Sequence, residues 1–112
     1  MKKIEVITRP ENLDKVKKIL AKNEYSGLSV SAIMGCGHQK GTIDEFRALQ
    51  EGMNLLPKIN IMTVVLDEDL EDILGEIQEN LTTQTVGDGK IFVSTVDDVV
   101  RIRNGERGEN IL

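Results

Sequence analysis

Pro57-Lys58-Ile59-Asn60-Ile61-Met62-Thr63-Val64-Val65-Leu66-Asp67-Glu68-Asp69-Leu70 is the stretch in which the hydrophobic period changes. Up to Val65 the period is two. Ile59, Ile61, Thr63 and Val65 share one face, and Lys58, Asn60, Met62 and Val64 the other, as in a half-buried strand. From Leu70 onward the period is helical, with Leu70, Ile73, Leu74, Ile77 and Leu81 on one stripe. Leu66-Asp67-Glu68-Asp69 gives that helix an acidic start, favourable at the positive end of its dipole. Thr82 to Val86 then leads to a glycine turn and a further strand, Lys90 to Ser94.

The same order stands upstream. Lys2 to Thr8 alternates with Ile4 and Val6 on one face, and Arg9-Pro10 ends the strand. Glu11 or Asn12 opens a helix that reaches about Asn23, with Leu13, Val16, Ile19 and Leu20 forming its apolar stripe. Gly27 marks a turn, and Leu28 to Met34 reads as a strand built around Val30 and Ile33. Two βαβ units, 1–35 and 57–94, predict an α+β fold, the ferredoxin-like split βαβ sandwich. In it an antiparallel sheet carries both helices on one face. Asp97 to Arg103 resumes an extended pattern, and 104–112 reads as a polar surface tail. The whole chain, 1–112, is expected to form one domain.

Between the units lies Gly35-Cys36-Gly37-His38-Gln39-Lys40-Gly41, three glycines in seven residues, followed by 42–55 without a clear period. Phe46, Leu49 and Met53 can line one side of a helical turn there. A loop of this length in a small domain, about 37–55, is expected to be a flexible flap or a binding surface.

At 112 residues the chain can bury about two-thirds of its unfolded surface in a single core. With three aromatics and no Trp, that core is aliphatic, and stacking platforms for bases are essentially absent. A net charge of −5 with interspersed signs argues against nonspecific binding of nucleic acid or of acidic membranes. The lone Cys36, with His38 two residues on, falls short of a structural zinc site. No apolar run approaches a membrane span, and Met1-Lys2-Lys3 leads into a strand, so a cytoplasmic location is expected.

The chemistry concentrates in Val86-Gly87-Asp88-Gly89-Lys90-Ile91-Phe92-Val93. Glycines allow positive φ and close approach, so such a turn can aim N–H groups and the Lys90 ammonium at a phosphate. In Arg101-Ile102-Arg103, strand alternation would put two guanidiniums on one face, a fork for phosphate oxygens. The alternatives are an ordinary hairpin turn and a solvated pair of arginines.

Further stretches stand beside that turn: Met1-Lys2-Lys3-Ile4-Glu5, Arg9-Pro10 with Leu13 and Val16, Gly35-Cys36-Gly37 with Gln39-Lys40-Gly41, Leu56-Pro57-Lys58, Val86 to Val93, and Val99 to Arg103 followed by Gly105-Glu106-Arg107-Gly108. In these, and so over essentially its whole length, the chain resembles the PII nitrogen-regulatory signal-transduction proteins. The resemblance implies a compact homotrimer with ATP or ADP in the clefts between subunits. Lys90, Arg101 and Arg103 would hold the phosphates. Gly35, Gly37, His38 and the turn Gly87-Asp88-Gly89 would supply backbone contacts, with Ile7, Ser29 and Val64 around adenine and ribose. 2-Oxoglutarate would bind beside MgATP through Gln39, Lys40, Gly41, Lys58 and Gly87, with Gln39 helping to hold Mg2+.

The segment 37–55 corresponds to the family's T-loop, and the resemblance makes it the element presented to a partner. That partner would be an ammonium transporter, glutamine synthetase or nitrogenase, with membranes involved only through a transporter. Arg47 stands where relatives insert an arginine into an ammonium channel.

Departures from the pattern shape the expectation. Glu51 occupies the position of the uridylylated tyrosine and Leu49 that of a phosphorylated serine, so control by those modifications is not expected. His38 replaces a usual arginine, Met62 a usual glutamate and Gln84 a usual glycine, which would alter nucleotide affinity or selectivity. Three readings follow: an allosteric energy and carbon/nitrogen sensor, a slow ATPase using Lys90 and the arginines, and a PII-like adenine-nucleotide module indifferent to 2-oxoglutarate. No general base converges with the cations in sequence, so hydrolysis is expected to be at most a weak reset reaction.

Overall fold

The computed structural model describes residues 1–35 and 56–112. Gly37, His38, Gln39, Lys40, Gly41 and Arg47, with the rest of the segment between Gly35 and Leu56, lie outside the described residues. The elements are β1 (Lys2–Thr8), α1 (Leu13–Lys22), β2 (Ser29–Gly35), β3 (Leu56–Val65), α2 (Leu70–Leu81) and β4 (Lys90–Thr95). The sheet runs β2-β3-β1-β4 with every pairing antiparallel. This is the ferredoxin-like arrangement that the two βαβ units predict.

Register explains why each strand has one buried face. Ile4 stands opposite both Thr63 and Val93, and Val6 opposite both Ile61 and Ile91. These residues point to the same side of the sheet, where Val16, Ile19 and Leu20 of α1 and Ile73, Ile77 and Leu81 of α2 complete the core. Ile4, Val16, Val65 and Ile73 are fully buried, and each such aliphatic side chain contributes about 1.5–3 kcal/mol relative to exposure. The opposite face carries Lys3, Glu5 and Ile7 from β1, their register partners Val64, Met62 and Asn60 from β3, and Lys90, Phe92 and Ser94 from β4.

Both helices begin with one tight 3-10 turn, Pro10–Asn12 before α1 and Asp67–Asp69 before α2. Neither the Asn12 nor the Asp69 side chain caps its helix. Asn12 donates instead to Thr8 Oγ1, 2.9 Å away, and Asp69 accepts from the Tyr25 hydroxyl. Glu71 and Asp72 in the first turn of α2 supply the favourable interaction with the dipole.

Two expectations require correction. The strand after Gly27 is not built around Val30 and Ile33. Val30 pairs with Ile61 on the helix side and Ile33 with Lys58 on the other, because an odd spacing alternates faces. As an edge strand β2 leaves Val30 43% exposed.

Asp97 to Arg103 is not a strand either. β4 ends at Thr95, and Val100 forms an isolated bridge to Arg107. Arg101 and Arg103 sit in the intervening turn, closed by Arg101 N–H to Glu106 O at 2.8 Å and by Gly105 N–H to Arg101 O at 2.8 Å. Gly105 supplies the positive φ, +76°, that the turn requires. The alternation that would have put the two guanidiniums on one strand face is therefore absent.

Candidate functional site

The loop from Thr82 to Gly89 joins α2 to the edge strand β4. Gly87 and Gly89 both adopt positive φ, +94° and +111°. At Gly89 a Cβ would stand 2.0 Å from the carbonyl oxygen of Ile7, so only glycine lets this backbone lie against the end of β1. The next residue, Lys90, is then fixed opposite Ile7 in the β1–β4 pairing.

Across β1 from that position, Ile7 pairs with Asn60, and Lys58 lies two residues further along β3. The Lys58 ammonium donates to Gly87 O at 3.0 Å. Ile7, Lys58, Lys90 and the Gly87-Asp88-Gly89 backbone thus meet at one end of the sheet, with two cations beside a glycine-braced turn. On the helix side the same end opens into a cleft of about 360 Å³, whose walls include Ile7, Leu81, Asp88, Gly89 and Lys90.

Asp88 directs its carboxylate inward, away from a ligand role. Oδ2 accepts from Thr83 N–H at 2.7 Å, and Oδ1 accepts from the Thr83 hydroxyl and from Arg9 Nη1 at 2.9 Å. The Thr83 hydroxyl and amide, with Arg9 and the Thr85 amide, hold the Asp88 carboxyl down at about 2. Arg9 Nη2 also reaches Val86 O at 3.4 Å. Behind the carboxylate, the buried Thr8 hydroxyl donates to Asp88 O at 2.8 Å and accepts from Asn12 Nδ2. Arg9, Thr83, Thr8 and Asn12 are residues that sequence reasoning missed. Arg9 reads locally only as the end of a strand.

The remaining candidates stand elsewhere. Val64 pairs with Lys3, and Ser29 pairs with Met62, toward the other end of the sheet. Val64 stands six residue steps along β3 from Lys58, a distance of about 20 Å. The segment carrying Arg101 and Arg103 leaves β4 from that far end, where Val96 N–H donates to Met1 O at 3.0 Å. Arg101 is paired with Glu106, and Arg107 with Asp98. Gly35 ends β2, opposite Leu56. One chain therefore presents two separate groups, Ile7, Lys58 and the turn at one end, and Ser29 and Val64 toward the other. Among the described residues no cluster of three His, Cys, Asp or Glu side chains forms a metal site, and no helix is long and apolar enough to cross a membrane.

The fold defines the class, a ferredoxin-like α+β sandwich with a glycine-braced turn at its sheet edge. Residues 1–106 match the family model described as nitrogen regulatory protein P-II. The chain is 45% identical over its full length to "Nitrogen regulatory protein P-II 1" of Methanothermobacter thermautotrophicus, covering 97% of that protein. It is 42% identical to "Nitrogen regulatory protein P-II" of Rhizobium meliloti, over 96% of each chain. The chain belongs to the nitrogen regulatory protein P-II family, and its role is nitrogen-regulatory signal transduction. These relatives are named as regulatory proteins rather than as enzymes.

Proposed function

We propose that the chain is a PII-type sensor that binds ATP or ADP, and 2-oxoglutarate with Mg2+, and regulates a nitrogen-metabolism target by protein contact. The observation that carries this reading is the turn itself. Gly87 and Gly89 at positive φ let the turn lie against the end of β1 beside Lys90, and the Lys58 ammonium donates to Gly87 O at 3.0 Å. Amides and two cations fit a polyphosphate or a dicarboxylate. Lys90 would hold phosphate and Lys58 the 2-oxoglutarate carboxylate. Gln39, Lys40 and Gly41 would complete the second site, with Gln39 toward Mg2+.

The split between the two ends of the sheet supports a site shared between copies. Ile7 and the turn of one subunit would face Ser29, Val64, Arg101 and Arg103 of the next, in a homotrimer. Phe92, Val100 and Ile102 are at least half exposed in the single chain, apolar surface that association would cover. Segment 37–55, with Arg47, would contact the target, an ammonium transporter, glutamine synthetase or nitrogenase, without tyrosine uridylylation. Two ligands sharing one cleft would bias that segment only through their differential affinity for its states.

Calorimetry with MgATP, with and without 2-oxoglutarate, tests the reading on the wild type and on Lys90→Ala. Expected are ATP binding that tightens in the presence of 2-oxoglutarate and a weakening of at least tenfold in the variant. ATP binding indifferent to 2-oxoglutarate would mark an adenylate-only sensor. Equal ATP affinity in a folded Lys90→Ala trimer would remove the phosphate site from this turn.

A further inference from the structure

We propose that Asp88, Arg9 and Thr83, backed by Thr8 and Asn12, form a clamp that sets the backbone of Gly87–Lys90 for anion binding, so that the Asp88 side chain is a positioning group. The proposal rests on the reading of this turn as the phosphate site.

A loop with two glycines at positive φ has much conformational freedom to lose, and its binding geometry must be held by something outside it. The clamp does this from two sides. Within the loop, Thr83 gives Asp88 both its amide and its hydroxyl, closing the six residues from 83 to 88 into a ring. From the end of β1, Arg9 grips Oδ1 and Val86 O, spanning 79 and 77 residues of sequence.

Thr8 is only 1% exposed and Asn12 only 7%. Buried polar groups need partners, and the Asn12–Thr8–Asp88 O chain supplies them in one direction only. The hydroxyl of Thr8 therefore fixes the carbonyl of Asp88 against the end of β1 and sets the peptide plane from which Gly89 and Lys90 follow. Arg9 also compensates the Asp88 charge. A carboxylate one residue from Gly87 and Gly89 would otherwise repel the anion that the turn is built to hold.

The test compares the wild type with Arg9→Gln and Thr83→Val, measuring ATP affinity by calorimetry and amide hydrogen exchange by mass spectrometry. The expected result in both variants is ATP affinity lower by about tenfold, with faster exchange confined to the loop from Thr82 to Lys90 and unchanged protection in α2. ATP affinity within about twofold of wild type in folded variants would overturn the clamp while leaving the phosphate site intact. Weakened binding without local change in exchange would place Arg9 on the ligand itself, and exchange accelerated equally in α2 would reduce the network to general stability. Both outcomes overturn the proposal. Absence of ATP binding by the wild type would instead overturn the nucleotide reading, and the clamp's role with it.

Discussion

Replacing Gly89 by alanine attacks the junction on which the candidate site depends. Two costs add. A φ of +111° is a conformation that L side chains rarely adopt, and holding one there costs about 1–3 kcal/mol. The new Cβ would also stand 2.0 Å from Ile7 O and 3.0 Å from Thr8 Cα, all backbone, so no rotamer change relieves the contact. Either the β1–β4 pairing near Ile7 and Lys90 opens or the strands shift, and the combined loss is expected at about 3 kcal/mol.

Gly27→Ala is the matched control. It has ordinary φ and nothing within 4 Å of its Cβ position. Its stability should be unchanged or raised by about 0.4–1 kcal/mol through the unfolded chain. Urea unfolding followed by circular dichroism measures both, at one protein concentration because subunit association would shift the midpoint. With a slope of about 1–3 kcal/mol per molar, the Gly89→Ala midpoint should fall by about 1–3 M. A loss below about 1 kcal/mol would refute the reasoning, since it would mean that the turn does not need to lie against β1.

Gly75 lies exposed in the interior of α2 with nothing within 4 Å of its Cβ position, so Gly75→Ala should stabilise the protein by about 1 kcal/mol, read as a raised urea midpoint. Acid titration tests the Asp88 network. Its carboxyl ionises at about 2 in the folded protein against an ordinary 3.8, so its contribution is fully present above the unfolded value and is lost as pH falls through about 2. The stability gap between wild type and Asp88→Asn, measured by urea unfolding from pH 7 downward, should be constant to about pH 4 and close between about pH 4 and pH 2. A gap independent of pH across that window would show that the ionised carboxylate is not what the clamp uses.

The parts of the fold that sequence made legible are those whose signal is local. The alternation of Ile59, Ile61, Thr63 and Val65 and the stripe of Ile73, Ile77 and Leu81 each state a period and a buried face, and the burial follows them. The glycine turn is legible for the same reason, since Gly87 and Gly89 mark the backbone conformation at their own positions. Val100 to Arg103 misleads because an extended pattern becomes a strand only where it finds a ladder partner, and here the chain turns back at Gly105 so that Val100 meets Arg107 in a single bridge. The Arg9–Asp88 contact leaves no local trace at all. A salt bridge between residues 79 apart becomes visible only when the sheet order puts the end of β1 beside the start of β4. The same topology places Val64 four residues along β3 from Asn60, the partner of Ile7, about 13 Å away, so the two groups of candidate nucleotide residues stand apart in one chain. Sequence supplies the candidate residues, and the register divides them into two groups toward opposite ends of the sheet.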